Sequence, residues 1–245
     1  MVHTERANLK IRPYVKWGQE RLHVKLETLE IISSKWGIPL SSKQIDKFSL
    51  FIQHLLSWNR RFNLISKNDS NISGITKHIL DSLTLLRFIS LPQNAEIMDI
   101  GSGAGFPAIP LKIAREGLDF NLVESTHKKF LFLKDIARKL DFSNFLIFNQ
   151  RAEELSRRDE FRNKYDFATA KALTDLTGMV KACFPFLETG GILICYKGER
   201  LEQELKELKQ EVRREIFEVI KKESIVITEI GLKRSLIAIQ KKLDF

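Results

Sequence analysis

The sequence predicts an α/β fold in which a doubly wound, mostly parallel, seven-stranded sheet follows an N-terminal helical appendage. Strand and helix patterns alternate over the longer, C-terminal part of the 245 residues, which is typical of a parallel sheet with helices on both faces. An apolar run from Ile97 leads into alternating glycines and ends at Pro107. Such a strand and turn begin many nucleotide-cofactor folds. The apolar share of 43% is sufficient for a full core.

The region before the first predicted strand divides into two parts. Residues 1–20 carry basic side chains without periodicity, and we interpret them as a basic N-terminal arm. Residues 21–92 contain three amphipathic patterns, and these form the predicted appendage. Gly37 and Pro39 separate the first two helices, and a polar loop separates the second from the third. The helices are expected over 20–35, from Ser41 or Ser42 to about 58, and over 72–89.

Residues 93–245 form the predicted sheet domain. Its last two strands are joined by a loop containing Gly231, so one of them runs antiparallel to the rest. A turn at Gly190-Gly191 precedes the fifth strand. The strands are expected over 96–100, 120–124, 144–148, 166–170, 192–196, 224–228 and 235–240. The helices are expected over 110–115, 128–140, 153–158, 175–186 and 201–221, the last with an apolar stripe from Leu201 to Val219.

The glycine spacing distinguishes two cofactor classes. Gly101, Gly103 and Gly105 alternate, and Phe106 stands where a dinucleotide-binding G-x-G-x-x-G motif has its third glycine. This pattern favours S-adenosylmethionine over NAD. Asp99, at the strand end, is suited to the amino group of a methionyl moiety. An ordinary glycine-rich turn without a ligand is the alternative.

In doubly wound sheets, ligands bind outside the carboxyl ends of the strands, so those ends carry the candidate site. Glu124 follows the second strand, about 20 residues past the glycines, where an acid can accept ribose hydroxyls. An acid at a helix start is the alternative interpretation of Glu124. Ala152 and Glu153 follow the third strand and are suited to an adenine edge. Lys171 and Lys197 follow the fourth and fifth strands.

Composition limits the partners. Lys and Arg total 40 against 31 Asp and Glu, and the net charge of +9 suits a polyanion, with simple solubility as the alternative. Cys183 and Cys195 lie in apolar segments, so we expect buried thiols and neither a disulfide framework nor a metal site. Without a targeting segment or an apolar run long enough for a membrane span, we expect a cytoplasmic protein.

Several short motifs follow one another in chain order. They are His78-x-x-Asp81-Ser82-Leu83, Asp99 to Pro107, Val123-Glu124-Ser125 with Lys128-Lys129, Arg151-Ala152-Glu153, and Lys197-Gly198. Together these motifs resemble those of the RsmG family of bacterial small-subunit rRNA methyltransferases. The resemblance covers about residues 25–240, and the set is specific, whereas the glycine stretch alone indicates only the cofactor.

The resemblance implies a Rossmann-like, class I S-adenosylmethionine-dependent methyltransferase that methylates guanine N7 in 16S rRNA. It implies that Gly101, Phe106, Ala152, Glu153 and Lys171 contact the cofactor. Lys171 departs from the family, which usually has Arg at this position; Lys keeps the charge but lacks the planar fork. The implied partner is 16S rRNA or a precursor of the small ribosomal subunit, without a membrane, and we expect a monomer.

Other residues are candidates for the substrate side. Asn63 is expected either to contact the base or to form a turn, and Lys197 either to donate to guanine O6 or to bind phosphate. His78 and Asp81 lie three residues apart, and we interpret them as a buried hydrogen-bonded pair that orients the appendage. The candidate phosphate contacts are Arg60, Arg61, Lys67, Lys128, Lys129 and Lys197.

Two alternatives from other classes stay open at this point. One is a dehydrogenase-like or regulatory nucleotide-binding protein that carries no RNA. The other is a methyltransferase that acts on a small molecule or a protein. Phe106 counts against the first, and the basic surplus counts against the second.

Overall fold

The structure, a computed structural model, describes residues 12–244, with side chains from residue 22 onward. Two short 3-10 helices, Arg214–Ile216 and Thr228–Ile230, accompany the main elements. The helices are α1 Arg12–Lys35, α2 Ser42–Phe62, α3 Ile72–Phe88, α4 Ala108–Ala114, α5 His127–Lys139, α6 Ala152–Leu155, α7 Leu176–Cys183 and α8 Leu201–Glu211. The strands are β1 Glu96–Ile100, β2 Asp119–Val123, β3 Phe145–Phe148, β4 Tyr165–Lys171, β5 Leu187–Lys197, β6 Phe217–Ile227 and β7 Leu232–Lys241.

One seven-stranded sheet organises the molecule, in the order β3-β2-β1-β4-β5-β7-β6. The first five strands in this order are parallel, and β7 runs antiparallel between β5 and β6. The predicted doubly wound sheet with a terminal hairpin is confirmed. The strand order reverses between β1 and β4, so their carboxyl ends open a crevice where such sheets bind ligands.

The three N-terminal helices cover one face of the sheet. Their buried side chains, such as Phe51 and Ile79, belong to one apolar cluster that also contains Phe120 of β2 and Tyr196 of β5. A second cluster on the opposite face packs α7 and α8 against the sheet. The predicted appendage is therefore a layer whose core is continuous with that of the sheet. Both cysteines are fully buried, as predicted.

The N-terminal helix is longer than predicted. It begins at Arg12, so residues 12–20 of the predicted basic arm are helical, and the rest of the arm, residues 1–11, lies outside the described residues. Pro13 stands in the first helical turn, where a missing N–H is tolerated. Helix α2 begins with Ser41 as its N-cap, and Gln44 completes a capping box.

The predicted helix over 201–221 is wrong in its second half. Helix α8 ends at Glu211, and residues 217–227 form β6, which pairs with β7 over its whole length. Val219 and Ile225 are β-branched and suit a strand, and the helical spacing of Val212 and Val219 was coincidental. The predicted turn at Gly190-Gly191 is also wrong, because these glycines lie inside β5 at a register irregularity.

A buried ion cluster joins the helical layer to the sheet. Asp81 of α3 is fully buried, and its two carboxylate oxygens lie 2.9 Å from Nε and Nη2 of Arg234 in β7. Nζ of Lys171, at the end of β4, lies 3.0 Å from the same carboxylate. Burial opposes ionisation of Asp81, but Lys171 and Arg234 outweigh it and lower the pKa of Asp81.

The cluster corrects one prediction from the sequence. His78 does not pair with Asp81; its Nε2 lies 3.3 Å from Asp69, in the loop before α3. Asp81 does orient the helical layer, as expected, but through charged partners on the sheet. Tyr196 adds a neutral contact nearby, since its hydroxyl donates to the carbonyl of Ser82 at 2.7 Å.

The substitution Asp81→Asn should lower the free energy of unfolding by about 3–5 kcal/mol, because it leaves the buried Lys171 and the partly buried Arg234 without their counter-charge. Asp69→Asn is the matched control: it also removes a carboxylate from a contact with another side chain, but Asp69 is partly exposed and its partner is His78, so the contact contributes at most ~1 kcal/mol. Urea denaturation of both variants measures the difference. Equal losses in the two variants would contradict this role for Asp81.

Candidate functional site

A cavity of about 420 Å³ opens at the carboxyl ends of the central strands. Gly101, Val123 and Ser125 line it from the ends of β1 and β2. Ala152 and Glu153 line it from the start of α6. Three residues predicted to contact the cofactor, Gly101, Ala152 and Glu153, are therefore brought together in one wall. This is the place in the fold where the strand order reverses and ligands bind.

The glycine turn combines tight packing with an open surface. Gly101, Gly103 and Gly105 all have positive φ, at 71°, 59° and 88°, which glycine adopts without a steric cost. A Cβ on Gly105 would collide with the side chain of Ile109 in α4, so this glycine allows close packing of the helix. A Cβ on Gly103 would find only the carbonyl of Gly101, at 3.8 Å. The surface over Gly103 is therefore open to a ligand.

Glu124 closes this turn from the neighbouring strand. Its carboxylate is buried and accepts hydrogen bonds from the backbone N–H of Gly103 at 2.9 Å and of Thr126 at 2.7 Å. Each carboxylate oxygen has about two acceptor positions, so each keeps one. The geometry is thus compatible with ribose hydroxyls, while the carboxylate also holds the turn in shape.

Asp99, directly before the turn, has an unsatisfied oxygen. Its Oδ1 accepts a hydrogen bond from the hydroxyl of Thr169 at 2.6 Å, whereas its Oδ2 is buried without a hydrogen-bond partner among the described residues. Burial raises the pKa of Asp99 to about 7. An unsatisfied acceptor of this kind suits a cationic amino group, so the residue fits the methionyl part of S-adenosylmethionine.

The loop after β4 forms the opposite wall of the cavity. Ala172 has a positive φ of 54°, and Leu173 and Thr174 line the cavity. Leu173 also lies over the turn, because a Cβ on Gly101 would approach it to 2.6 Å. Asp175 caps α7 by accepting a hydrogen bond from the N–H of Gly178. Sequence reasoning missed this wall, since no motif marks the loop.

A buried ion pair braces the loop from behind. Lys197 and Glu204 are each less than a tenth exposed and lie 2.5 Å apart. Lys197 Nζ donates to the carbonyl of Thr174 at 2.9 Å, and Glu204 accepts from the N–H of Leu176 at 2.8 Å. The ammonium group of Lys197 is therefore bound to the loop and to Glu204. This placement does not present it to a guanine or to a phosphate.

Four other candidates lie on the side of the helical layer. Phe106 is buried against Phe51, with ring centroids 5.4 Å apart. Nζ of Lys171 lies 5.1 Å from the centre of the Phe106 ring. His78 stands 5.2 Å from the same ring. Asn63 is exposed and left-handed, with φ of 48°, as the C-cap of α2. It therefore does form a turn, and its contact with a base stays a prediction.

Comparisons with known proteins identify the family. A family model described as rRNA small subunit methyltransferase G, GidB, matches residues 44–236. The chain belongs to this family. Proteins of this same name are 35% identical over 211 residues in Oceanobacillus iheyensis and 34% over 206 residues in Bacillus pumilus. Each comparison covers 84% of this chain and 86% of the relative.

Solved structures agree on the fold. A putative transferase from Pyrococcus horikoshii matches with a TM-score of 0.53 and 11% identity, over 69% of this chain and 63% of that one. TYW2 of the same organism, in complex with MeSAdo, matches with a TM-score of 0.50 and 12% identity, over 67% and 61% of the two chains. At these identities the likeness shows the fold alone.

Family membership and fold confirm the prediction of a class I S-adenosylmethionine-dependent methyltransferase. The dehydrogenase-like alternative is wrong. The roles of individual residues stay predictions. No helix among residues 12–244 is long and apolar enough to cross a membrane.

The raised pKa of Asp99 should make stability depend on pH. Between about pH 4 and pH 7 the unfolded chain ionises this carboxyl while the folded chain keeps it protonated, so its contribution destabilises the protein as pH rises. In this range the free energy of unfolding falls by up to ~1.4 kcal/mol per pH unit, and above pH 7 it stops changing through this group. Asp99→Asn should lack this component. Urea denaturation of both proteins across this range measures it, and parallel profiles would contradict the assignment.

Glu204→Gln should weaken S-adenosylmethionine binding by on the order of tenfold, or ~1.4 kcal/mol, because the loop that carries Leu173 loses its brace. Glu211→Gln is the matched control, since Glu211 joins the same two helices through Lys181 but in a pair that is more than half exposed. Calorimetry on both variants, with folding checked by thermal melting, compares them. A folded Glu204→Gln protein with wild-type affinity would show that the loop needs no brace.

Proposed function

We propose that this protein transfers the methyl group of S-adenosylmethionine to N7 of a guanine in 16S ribosomal RNA. Membership of the rRNA small subunit methyltransferase G family, over residues 44–236, carries this proposal. The cavity beside the glycine turn supports it, because Gly101, Ala152 and Glu153 line it, and Asp99 and Glu124 lie at the adjoining strand ends. The substrate is a precursor of the small subunit or its rRNA, and the enzyme acts as a monomer in the cytoplasm.

The residues around the cavity divide the cofactor between them. Glu124 accepts the ribose hydroxyls, Ala152 and Glu153 meet the adenine edge, and the unsatisfied oxygen of Asp99 receives the methionyl amino group. The open surface over Gly103 admits the ligand close to the backbone. When bound, S-adenosylmethionine supplies an electrophilic methyl group on a sulfonium centre.

No side chain needs to act as a general base. Guanine N7 carries an in-plane lone pair and no proton in the neutral base, so nothing must be removed before it attacks. The protein's task is alignment, which can supply about 7–11 kcal/mol. The obvious acid–base candidates are already engaged: Asp81 with Arg234 and Lys171, and His78 with Asp69. Burial, and then the charge of Lys171, lower the pKa of His78 and favour its neutral form.

The RNA side of the site is basic. Arg60, Arg61, Lys67 and Lys128 are exposed, and none forms an ion pair with a described residue. Unpaired cations of this kind suit phosphate groups. Lys197 is the exception among the predicted phosphate contacts, because its charge is buried with Glu204. The target guanine must leave its stack to reach the cavity, at a cost of a few kcal/mol.

A methylation assay with two glycine variants tests the proposal. Purified enzyme is incubated with S-adenosylmethionine and unmethylated 16S rRNA, both protein-free and in small subunits, and 7-methylguanosine is measured by mass spectrometry. Gly103→Val should lose at least about tenfold in cofactor affinity, since a branched side chain enters the ligand's space. Gly231→Val has the same backbone strain, with φ of 57° and open surroundings away from the cavity, and should bind normally.

Two outcomes would contradict the proposal. One is a methyl group on another atom or another substrate, with none on guanine N7 of either rRNA form. The other is unchanged cofactor affinity in a folded Gly103→Val protein, which would remove the glycine turn from the cofactor site.

A further inference from the structure

An exposed aromatic ring lies among unpaired cations near the mouth of the cavity. We infer that Phe62 is a platform on which an unpaired RNA base stacks while the neighbouring guanine is methylated. This inference rests on the proposed function, since it concerns the RNA next to the target. The inferred contact is with a base, whereas the exposed cations described above would contact phosphate groups.

Exposure distinguishes Phe62 from the other aromatic residues. Among residues 22–244 it is the only Phe, Tyr or Trp side chain that is exposed, at 38%. A single exposed apolar residue is ordinary on a protein surface and carries no conclusion by itself. Two further observations give the exposure of Phe62 a meaning: the contacts that support its ring, and the charged residues around it.

The ring of Phe62 is supported on one side by another aromatic ring. Phe62 is the last residue of α2, and its ring centroid lies 5.3 Å from that of Trp58, one turn earlier. Trp58 in turn packs against Phe132 of α5, which is fully buried. Phe62 is thus supported from the core side and positioned by a helix. A rigid ring loses little conformational freedom when a base stacks on it, so more of the stacking energy appears as affinity.

The surroundings suit a polyanion that carries flat rings. Nζ of Lys128 lies 5.9 Å from the centre of the Phe62 ring, and Arg60 and Arg61 precede it on α2. None of these three cations has an ion pair among the described residues. A basic groove with a stacking ring is the arrangement by which proteins bind single-stranded nucleic acid. An apolar protein partner would leave these cations without counter-charges, so it suits this surface less well than RNA does.

The position links this surface to the reaction. Lys128 stands in the first turn of α5, and Ser125, three residues earlier, lines the cavity. The first turn of α5 therefore connects the surface around Phe62 with the wall of the cavity. A target guanine that enters the cavity has left its stack, so a neighbouring nucleotide is also free to stack elsewhere. Stacking contributes ~1–3 kcal/mol for each base and tolerates any sequence.

The test compares two ligands that differ only in their bases: a short single-stranded oligoadenylate, and an abasic oligomer of the same length. Phe62→Ala should bind the oligoadenylate about 5- to 150-fold more weakly, and bind the abasic oligomer as the wild type does. Phe62→Trp should keep the affinity, whereas Phe62→Leu, which keeps apolar bulk without an aromatic face, should lose it. Lys128→Gln should lower the affinity for both oligomers. It should also reduce the slope of log affinity against log salt concentration by about the share of one phosphate contact.

Several results would overturn the inference. They are equal affinity of the wild type for the two oligomers, an unchanged oligoadenylate affinity in Phe62→Ala, or an equal loss for both ligands in that variant. If Phe62→Ala lost affinity for assembled small subunits but not for protein-free rRNA, the ring would contact a protein and not a base. S-adenosylmethionine affinity, measured on each variant, should stay at the wild-type value. Because methylation by the wild type tests the proposed function separately, either idea can fail alone.

Discussion

The buried ion cluster of Asp81, Lys171 and Arg234 is the interaction on which the arrangement of the site depends. It joins α3, the end of β4 and β7, and so fixes the helical layer over the sheet beside the cavity. Burying three charges is costly, and the geometry offsets that cost only because both carboxylate oxygens are used. Lys171 contributes a charge but no planar fork, and in this chain Arg234 makes the two parallel hydrogen bonds.

The two walls of the cavity are stabilised in different ways. The glycine turn is held by Glu124, which accepts hydrogen bonds from two backbone N–H groups while keeping acceptor positions for a ligand. The loop after β4 carries a left-handed alanine, and Lys197 and Glu204 hold it from behind. The two walls of the cavity are therefore both held by hydrogen bonds within the protein itself. A cavity held in this way reduces the ordering cost of binding a ligand.

The chemistry explains why the polar residues are used in this way. Methyl transfer to a lone pair needs alignment rather than proton removal, so the carboxylates near the site are free to hold the structure together, as the contacts of Glu124, Asp81 and Glu204 show. Among the acids that the structure describes, Asp99 is the one whose ionisation burial opposes strongly enough to place its pKa near neutrality. On the outer side, exposed cations of α2 and α5 accompany Phe62, and none of them lines the cavity.

The sequence by itself determined the seven-stranded sheet, its terminal hairpin, the glycine turn and the cofactor class, because these depend on local periodicity and on glycine's backbone freedom. Tertiary structure alone decided which charges meet. Asp81 pairs with Arg234, 153 residues away, rather than with His78, and Lys197 faces Glu204 rather than the substrate. It also decided that residues 217–227 form a strand, since pairing with β7 outweighed a helical spacing. Long-range pairing leaves no local pattern, and it is therefore invisible until the chain has folded.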